Sequence, residues 1–155
     1  MTKMTEKAFE ITVDKWTFRV PRDRYYNEND FWAKLEGSTA TVGITDFLQN
    51  MAGDIIYVEL PELDAAVDQF DEAGSFEAIK IMLDVISPVA GIVREVNEQL
   101  HQRPELVNQN PYGDGWFVKI EVKDFKKDKE NLLDPAGYFE VMKRKIDAER
   151  ARLKK

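Results

Sequence analysis

Between Leu35 and Val93 the chain carries eleven acidic residues, from Glu36 through Asp84, and a single basic one, Lys80. Lys80 lies in the apolar run Phe76-Glu77-Ala78-Ile79-Lys80-Ile81-Met82-Leu83 and has no cationic neighbour. Most lysines are solvated and do no chemistry. This setting, by contrast, singles out one amine among fourteen lysines for an enzyme that must recognise and modify it by shape and by the surrounding acidic field. A Schiff-base nucleophile is the rival chemistry, because desolvation among Ile79, Ile81 and Met82 would favour the neutral amine. The nearby carboxylates act the other way by favouring the ammonium, and no second acid or base stands at a fixed spacing from Lys80.

Little else in the chain offers reactive groups. There is no cysteine, so any sulfur chemistry must be imported. The only histidine, His101, precedes Arg103-Pro104 in a polar stretch and reads as a surface residue, since a metal site draws on several ligands. The net charge of −7 argues against non-specific nucleic-acid binding, which rests on neutralising phosphates. Charge is unevenly placed, with seven basic and two acidic residues in the last thirteen. No apolar stretch is long enough to cross a bilayer and the N-terminus has no apolar h-region, so no membrane contact and a cytoplasmic location are expected.

The elements that must position Lys80 read as mainly β. Alternation over Ala8 to Val13 and Trp16 to Val20, closed by Pro21, predicts an N-terminal hairpin or edge addition. Phe31 to Leu35 and Thr39 to Ile44 flank Glu36-Gly37-Ser38 as a second hairpin. Thr45 and Asp46 open a two-turn helix stopped by Gly53, and a strand from Asp54 to Leu60 follows. Strands are expected at Phe76 to Lys80, Met82 to Ile86 and Ile92 to Val96, then an irregular loop through Pro104 to Gly115 and a last strand from Trp116 to Val122. Asp134-Pro135 starts a C-terminal helix whose Phe139, Met142, Ile146 and Leu153 repeat at helical spacing. Short strands with one terminal helix suggest a β-sandwich or flattened barrel. Trp32 and Trp116 read as core or rim anchors. Gly91 and Gly115 read as turn residues, and Asn97 and Asn108 as partners for loop backbone groups.

From Phe31 to Val122 the sequence resembles the H-protein of the glycine cleavage system. Val42-Gly43-Ile44-Thr45-Asp46-Phe47-Leu48-Gln49 and Gly53-Asp54-Ile55-Ile56-Tyr57-Val58-Glu59-Leu60-Pro61-Glu62 look like that family's first signature. Glu77-Ala78-Ile79-Lys80 looks like its lipoylation motif, usually Glu-Ser-Val-Lys. Ser87-Pro88-Val89-Ala90-Gly91, Glu95-Val96-Asn97, Pro104-Glu105-Leu106-Val107-Asn108 and Pro111-Tyr112-Gly113-Asp114-Gly115-Trp116 follow in order. The resemblance implies a lipoyl-domain-like sandwich of antiparallel sheets, a barrel-sandwich hybrid, with short helices and a C-terminal helix. It implies lipoic acid in amide linkage to Lys80, displayed on a hairpin turn, with Glu77, Ala78 and Ile79 beside it. The protein would be a non-catalytic carrier. Its arm would take an aminomethyl group from glycine decarboxylase, present it to an aminomethyltransferase, and be reoxidised by a dihydrolipoyl dehydrogenase. A lipoate ligase or lipoyl transferase would attach the cofactor, and a monomer is expected.

Several positions depart from the family's pattern. Asp30-Phe31-Trp32 stands where His-Glu-Trp is common, Asp64 to Ser75 is acidic where glycine and lysine are usual, and Ile81 replaces a small residue. These departures also resemble the H-protein-like lipoate-binding proteins of sulfur oxidation, which work with a heterodisulfide-reductase-like complex; the arm would then carry sulfur. The expected organisation is an N-terminal strand-like extension over 1–24, a lipoyl-carrier domain over 25–124 and a C-terminal helical extension over 125–155.

Overall fold

Turn residues such as Glu36-Gly37-Ser38 punctuate the strands, and the computed structural model, which describes residues 2–153, arranges them in three antiparallel sheets. In chain order, β1 (Thr2–Met4), β2 (Ala8–Val13) and β3 (Trp16–Pro21) form the first sheet. Then come β4 (Tyr25–Tyr26), β5 (Phe31–Glu36), β6 (Thr39–Ile44), α1 (Asp46–Ala52), β7 (Ile55–Glu59), β8 (Ala66–Val67), β9 (Glu72–Ala78), β10 (Met82–Ile86) and β11 (Gly91–Val96). The chain closes with α2 (Gln99–Gln102), α3 (Leu106–Gln109), β12 (Val118–Val122), α4 (Phe125–Lys129) and α5 (Pro135–Leu153). The second sheet has the order β10-β9-β7, and the third, six-stranded, runs β4-β5-β6-β12-β11-β8. The expected mainly β sandwich with short helices and a C-terminal helix is thus the observed fold.

Two apolar clusters hold it together. In one, the six-stranded sheet contributes Val42, Ile44, Val93 and Ile120, which pack with Val58, Phe76 and Val85 of the second sheet, all buried. In the other, α5 sets Tyr138, Phe139, Met142 and Ile146 against Phe18 and Val20 of the first sheet and against Tyr26, Trp32 and Phe47. Strands β2 and β3 and the C-terminal helix therefore bury their apolar faces in a shared core, with Phe9 stacked on Phe139 at 5.3 Å, whereas β1 is exposed. Helix α5 is capped as the sequence indicates: Asp134 Oδ1 accepts the Gly137 N–H at 2.7 Å. Its expected apolar stripe ends early, because Leu153 is exposed. Lys154 and Lys155, two of the terminal basic residues, lie outside the described residues.

The structure corrects several local readings. The strand expected to reach Lys80 ends at Ala78, for a reason given below. The loop from Pro104 contains a helical turn, α3, and Trp116 precedes β12 because its N–H closes a turn on Gly113 O at 3.1 Å. Gly91 and Gly115 do not owe their identity to turn angles, for neither has a positive φ. A Cβ at Gly91 would lie 2.0 Å from Glu121 O, and one at Gly115 would lie 2.6 Å from Leu106 O, so close backbone approach excludes a side chain.

Candidate functional site

Lys80 sits at the apex of the β9–β10 hairpin. The turn closes through the Ala78 N–H, which donates to Ile81 O at 2.8 Å. At Ile79 and Lys80 the backbone leaves the ladder and turns to the segment joining α1 to β7: the Ile79 N–H donates to Asp54 O at 3.0 Å, and the Lys80 N–H to Ala52 O at 3.1 Å. Strand propensity favoured continuing the run, but these two bonds satisfy the backbone donors elsewhere and free the tip. The apex is therefore a fixed platform. Its side chain is exposed and, among the described residues, forms no ion pair.

The platform is held by residues distant in sequence. Gly53 caps α1 with φ 82°, a backbone angle that favours glycine, and its N–H donates to Gln49 O. A Cβ there would touch the Lys80 stem at 3.8 Å. Asn108, from α3, accepts the Ile55 N–H at 2.9 Å and donates to Gly53 O at 3.0 Å and Gln49 Oε1 at 3.1 Å. One amide side chain thus clamps both sides of the segment that carries Lys80. Asn97 acts similarly farther away, donating to Asp114 O and Trp116 O at 2.8 Å. The expectation that both asparagines serve loop backbone groups is met.

The remaining candidate residues separate by face. Ala78 is buried, Ile79 is 66% exposed, and Glu77 is half-buried and points outward. In the register of the second sheet, Tyr57, Glu77 and Met82 make one cross-strand row, and Glu59, Ser75 and Asp84 the next. Both rows lie opposite the buried Val58 and Phe76. Tyr57 and the exposed Ile56 were not singled out in the sequence, although two apolar residues in succession on a strand are a sign that one of them faces water. On the other side of Lys80 is a cleft of about 510 Å³, bordered by Trp16, Phe18, Phe47, Met51 and Ile146 as well as Lys80 itself.

Polar contacts tie the N-terminal hairpin, which supplies Trp16 and Phe18 to that cleft, to α1 and Tyr112. Asp46, in the first turn of α1, accepts the Arg19 N–H at 2.9 Å, while Tyr112 Oη donates to Arg19 O at 2.6 Å and accepts the Asp46 N–H at 3.1 Å. Burial pushes the Asp46 carboxyl up to about 6, against the lowering effect of the Arg19 N–H. Burial likewise raises the Tyr112 hydroxyl. No group of three or more metal-ligating side chains occurs among the described residues, and His101 is exposed.

A sequence model of the glycine cleavage H-protein family matches residues 24–145. The chain belongs to that family. It is 45% identical over 123 residues to a glycine cleavage system H protein of Thermus thermophilus, covering 79% of this chain and 95% of that relative. It is 43% identical over 143 residues to a probable glycine cleavage system H protein of Aeropyrum pernix, covering 92% and 99%. Among solved structures, a glycine cleavage system H protein from Mycobacterium marinum superposes with a TM-score of 0.67 at 29% identity, covering 77% of this chain and 95% of that one. Members of the H-protein family are non-catalytic lipoyl carriers of the glycine cleavage system and hold lipoate on a lysine. No helix among the described residues is long and apolar enough to cross a membrane.

The residues at the hairpin apex suit such a group. An amide to lipoate needs a lysine amine that reaches solvent and is not engaged by a carboxylate, on backbone stiff enough for an attaching enzyme to read, and Lys80 meets these conditions. Trp16 and Leu153, both exposed, and Asp14 and Arg150, joined at 3.6 Å, show that the far wall of the cleft is built from residues outside the span matched by the family model.

Proposed function

We propose that Lys80 carries lipoic acid in amide linkage, and that the protein serves as the lipoyl carrier of glycine cleavage, moving an aminomethyl group between partner enzymes. The observation that carries this reading is the combination, at one residue, of a tethered backbone and an unengaged, exposed amine. The cofactor's dithiolane supplies the reversible disulfide and thiol chemistry that a cysteine-free chain lacks. The chain's own part is mechanical and electrostatic. The bonds to Ala52 and Asp54 fix the base of the arm, the lysine stem gives reach, and Glu77 lies beside it for the attaching enzyme to read. Tethering raises the local concentration of the cargo at each partner without release into solvent.

The partners in this reading are glycine decarboxylase, aminomethyltransferase and dihydrolipoyl dehydrogenase, with a lipoate ligase or lipoyl transferase for loading. The carrier acts as a monomer in the cytoplasm, with 25–124 as the working domain and 1–24 and 125–155 as its extensions.

Lipoylated protein incubated with glycine decarboxylase, glycine and labelled bicarbonate is expected to support incorporation of label into glycine. Absence of exchange with protein shown by mass to be lipoylated overturns the glycine-cleavage role, and turns attention to a sulfur-carrying role with a heterodisulfide-reductase-like complex.

A further inference from the structure

The outward face of the β10-β9-β7 sheet combines two features that seldom coexist on free surface. Met82 is 72% exposed and Tyr57 58%, and the two flank Glu77 in the cross-strand row next to the apex; Ile79 and Ile81, also exposed, adjoin Lys80 in the chain, so the arm's end of the sheet carries an apolar collar. Behind that collar the same face presents carboxylates: Glu77 between Tyr57 and Met82, then Glu59 and Asp84 flanking Ser75. Lys80 is the only cation in residues 35–93, and acylation of its amine would leave that stretch purely acidic. Solvated sheet faces ordinarily carry polar residues of both signs, so a clustered apolar collar with acidic backing marks an interaction surface.

Geometry also fixes the direction of approach. On the cleft side, Lys80 is flanked by the N-terminal hairpin and α5, which the Arg150–Asp14 pair joins at 3.6 Å. The opposite side, the outer face of β7, β9 and β10, is open.

We propose that this outer face is the docking surface for glycine decarboxylase, and that the matching surface on that enzyme is a recess with an apolar floor for Met82 and Tyr57 and a lysine- or arginine-bearing rim for Glu59, Glu77 and Asp84. The inference rests on the carrier reading and deepens it by assigning the side from which a partner meets the arm. The apolar collar supplies most of the affinity once desolvated. The carboxylates steer encounter and fix orientation, and make binding sensitive to salt.

The test measures binding of the full-length lipoylated protein to purified glycine decarboxylase, with the lipoyl mass on Lys80 verified in each sample. Met82→Asp and Tyr57→Ala are expected to weaken the dissociation constant by about tenfold or more, since each removes a central apolar contact. Asp84→Lys is expected to weaken it by about three- to tenfold and to flatten its salt dependence. Leu63→Asp, at an exposed apolar site at the opposite end of β7 from the apex, is expected to leave binding within about twofold. Wild-type binding when Met82→Asp and Asp84→Lys are tested, or a larger loss from Leu63→Asp, overturns the proposal. So does a wild-type protein that binds no decarboxylase, or one that instead self-associates through this face, seen as a dimer that Met82→Asp dissociates. An unlipoylated Lys80 in every sample would defeat the carrier reading instead, a result that the mass measurement records separately from binding.

Discussion

The backbone N–H of Lys80 donates to the carbonyl of Ala52 at 3.1 Å, so the tip of one hairpin is bonded to the last turn of α1. Two segments that the sequence places 28 positions apart (80 less 52) thus share one platform. The position of Lys80 depends on α1 and its glycine cap as much as on its own strands.

That dependence gives the first prediction. Asn108→Ala removes the acceptor for the Ile55 N–H and the donor to Gly53 O. With a partly buried donor left unpaired, the protein should lose about 1–3 kcal/mol of stability. Amide hydrogen exchange at Ile79 and Lys80 should accelerate more than exchange in β5 or β6. Uniform acceleration throughout would show that Asn108 contributes only to global stability.

A second concerns the departure at Asp30. Lys145 Nζ lies 2.9 Å from Asp30 Oδ2, and Tyr138 Oη donates to Asp30 Oδ1 at 2.8 Å. A buried carboxylate, with φ 74°, therefore fastens α5 to the start of β5. Burial raises the Asp30 carboxyl, and Lys145 acts in the opposite direction. Lys145→Met leaves the charge without its partner and should cost about 3 kcal/mol, whereas Asp30→Asn, which removes the charge itself, should cost less. Urea denaturation of both variants checks the order, and a larger loss in Asp30→Asn would contradict it.

The sequence made the hairpins, the α1 cap and the start of α5 legible because each is written in local chemistry: Gly37 in a turn, Thr45 before a helix, Asp134 before Pro135. It also made Lys80 legible, through its isolation among carboxylates and its neighbouring motif. The end of β9 was not legible. Ile79 looks like any other β-branched strand residue, and only the acceptors at Asp54 and Ala52, brought close by the fold, turn the chain away from the ladder. Likewise Gly91 is compatible with a turn in sequence, and the reason for it, Glu121 O, lies on a neighbouring strand. The pairing of the N-terminal hairpin with α5 depends on contacts such as Phe9 with Phe139, separated by most of the chain.

The third prediction follows from that Glu121 contact. Gly91→Ala would put a methyl group 2.0 Å from a backbone oxygen, which no rotamer change relieves. β11 and β12 must separate, at a cost of about 3 kcal/mol. Thermal unfolding should show the loss, and an unchanged midpoint would refute the steric reading.

A fourth uses acidity. The Asp46 carboxyl is raised to about 6 in the fold from an ordinary 3.8, so the folded protein holds this proton more tightly than the unfolded chain. The stabilisation is present in full below about pH 4 and is lost as pH rises through about 6, by at most about 3 kcal/mol. Asp46→Asn keeps an acceptor for the Arg19 N–H and should flatten the fall in stability between about pH 4 and 7. Equal slopes for variant and wild type would show that Asp46 does not titrate in this range.

The most direct test of the carrier role is mass spectrometry of the intact protein and its peptides after expression with a competent lipoate ligase and lipoic acid. The expected result is a single lipoyl addition confined to Lys80 and abolished by Lys80→Arg. An unmodified chain in hosts that lipoylate other proteins, or a lipoyl group on another lysine, would contradict it.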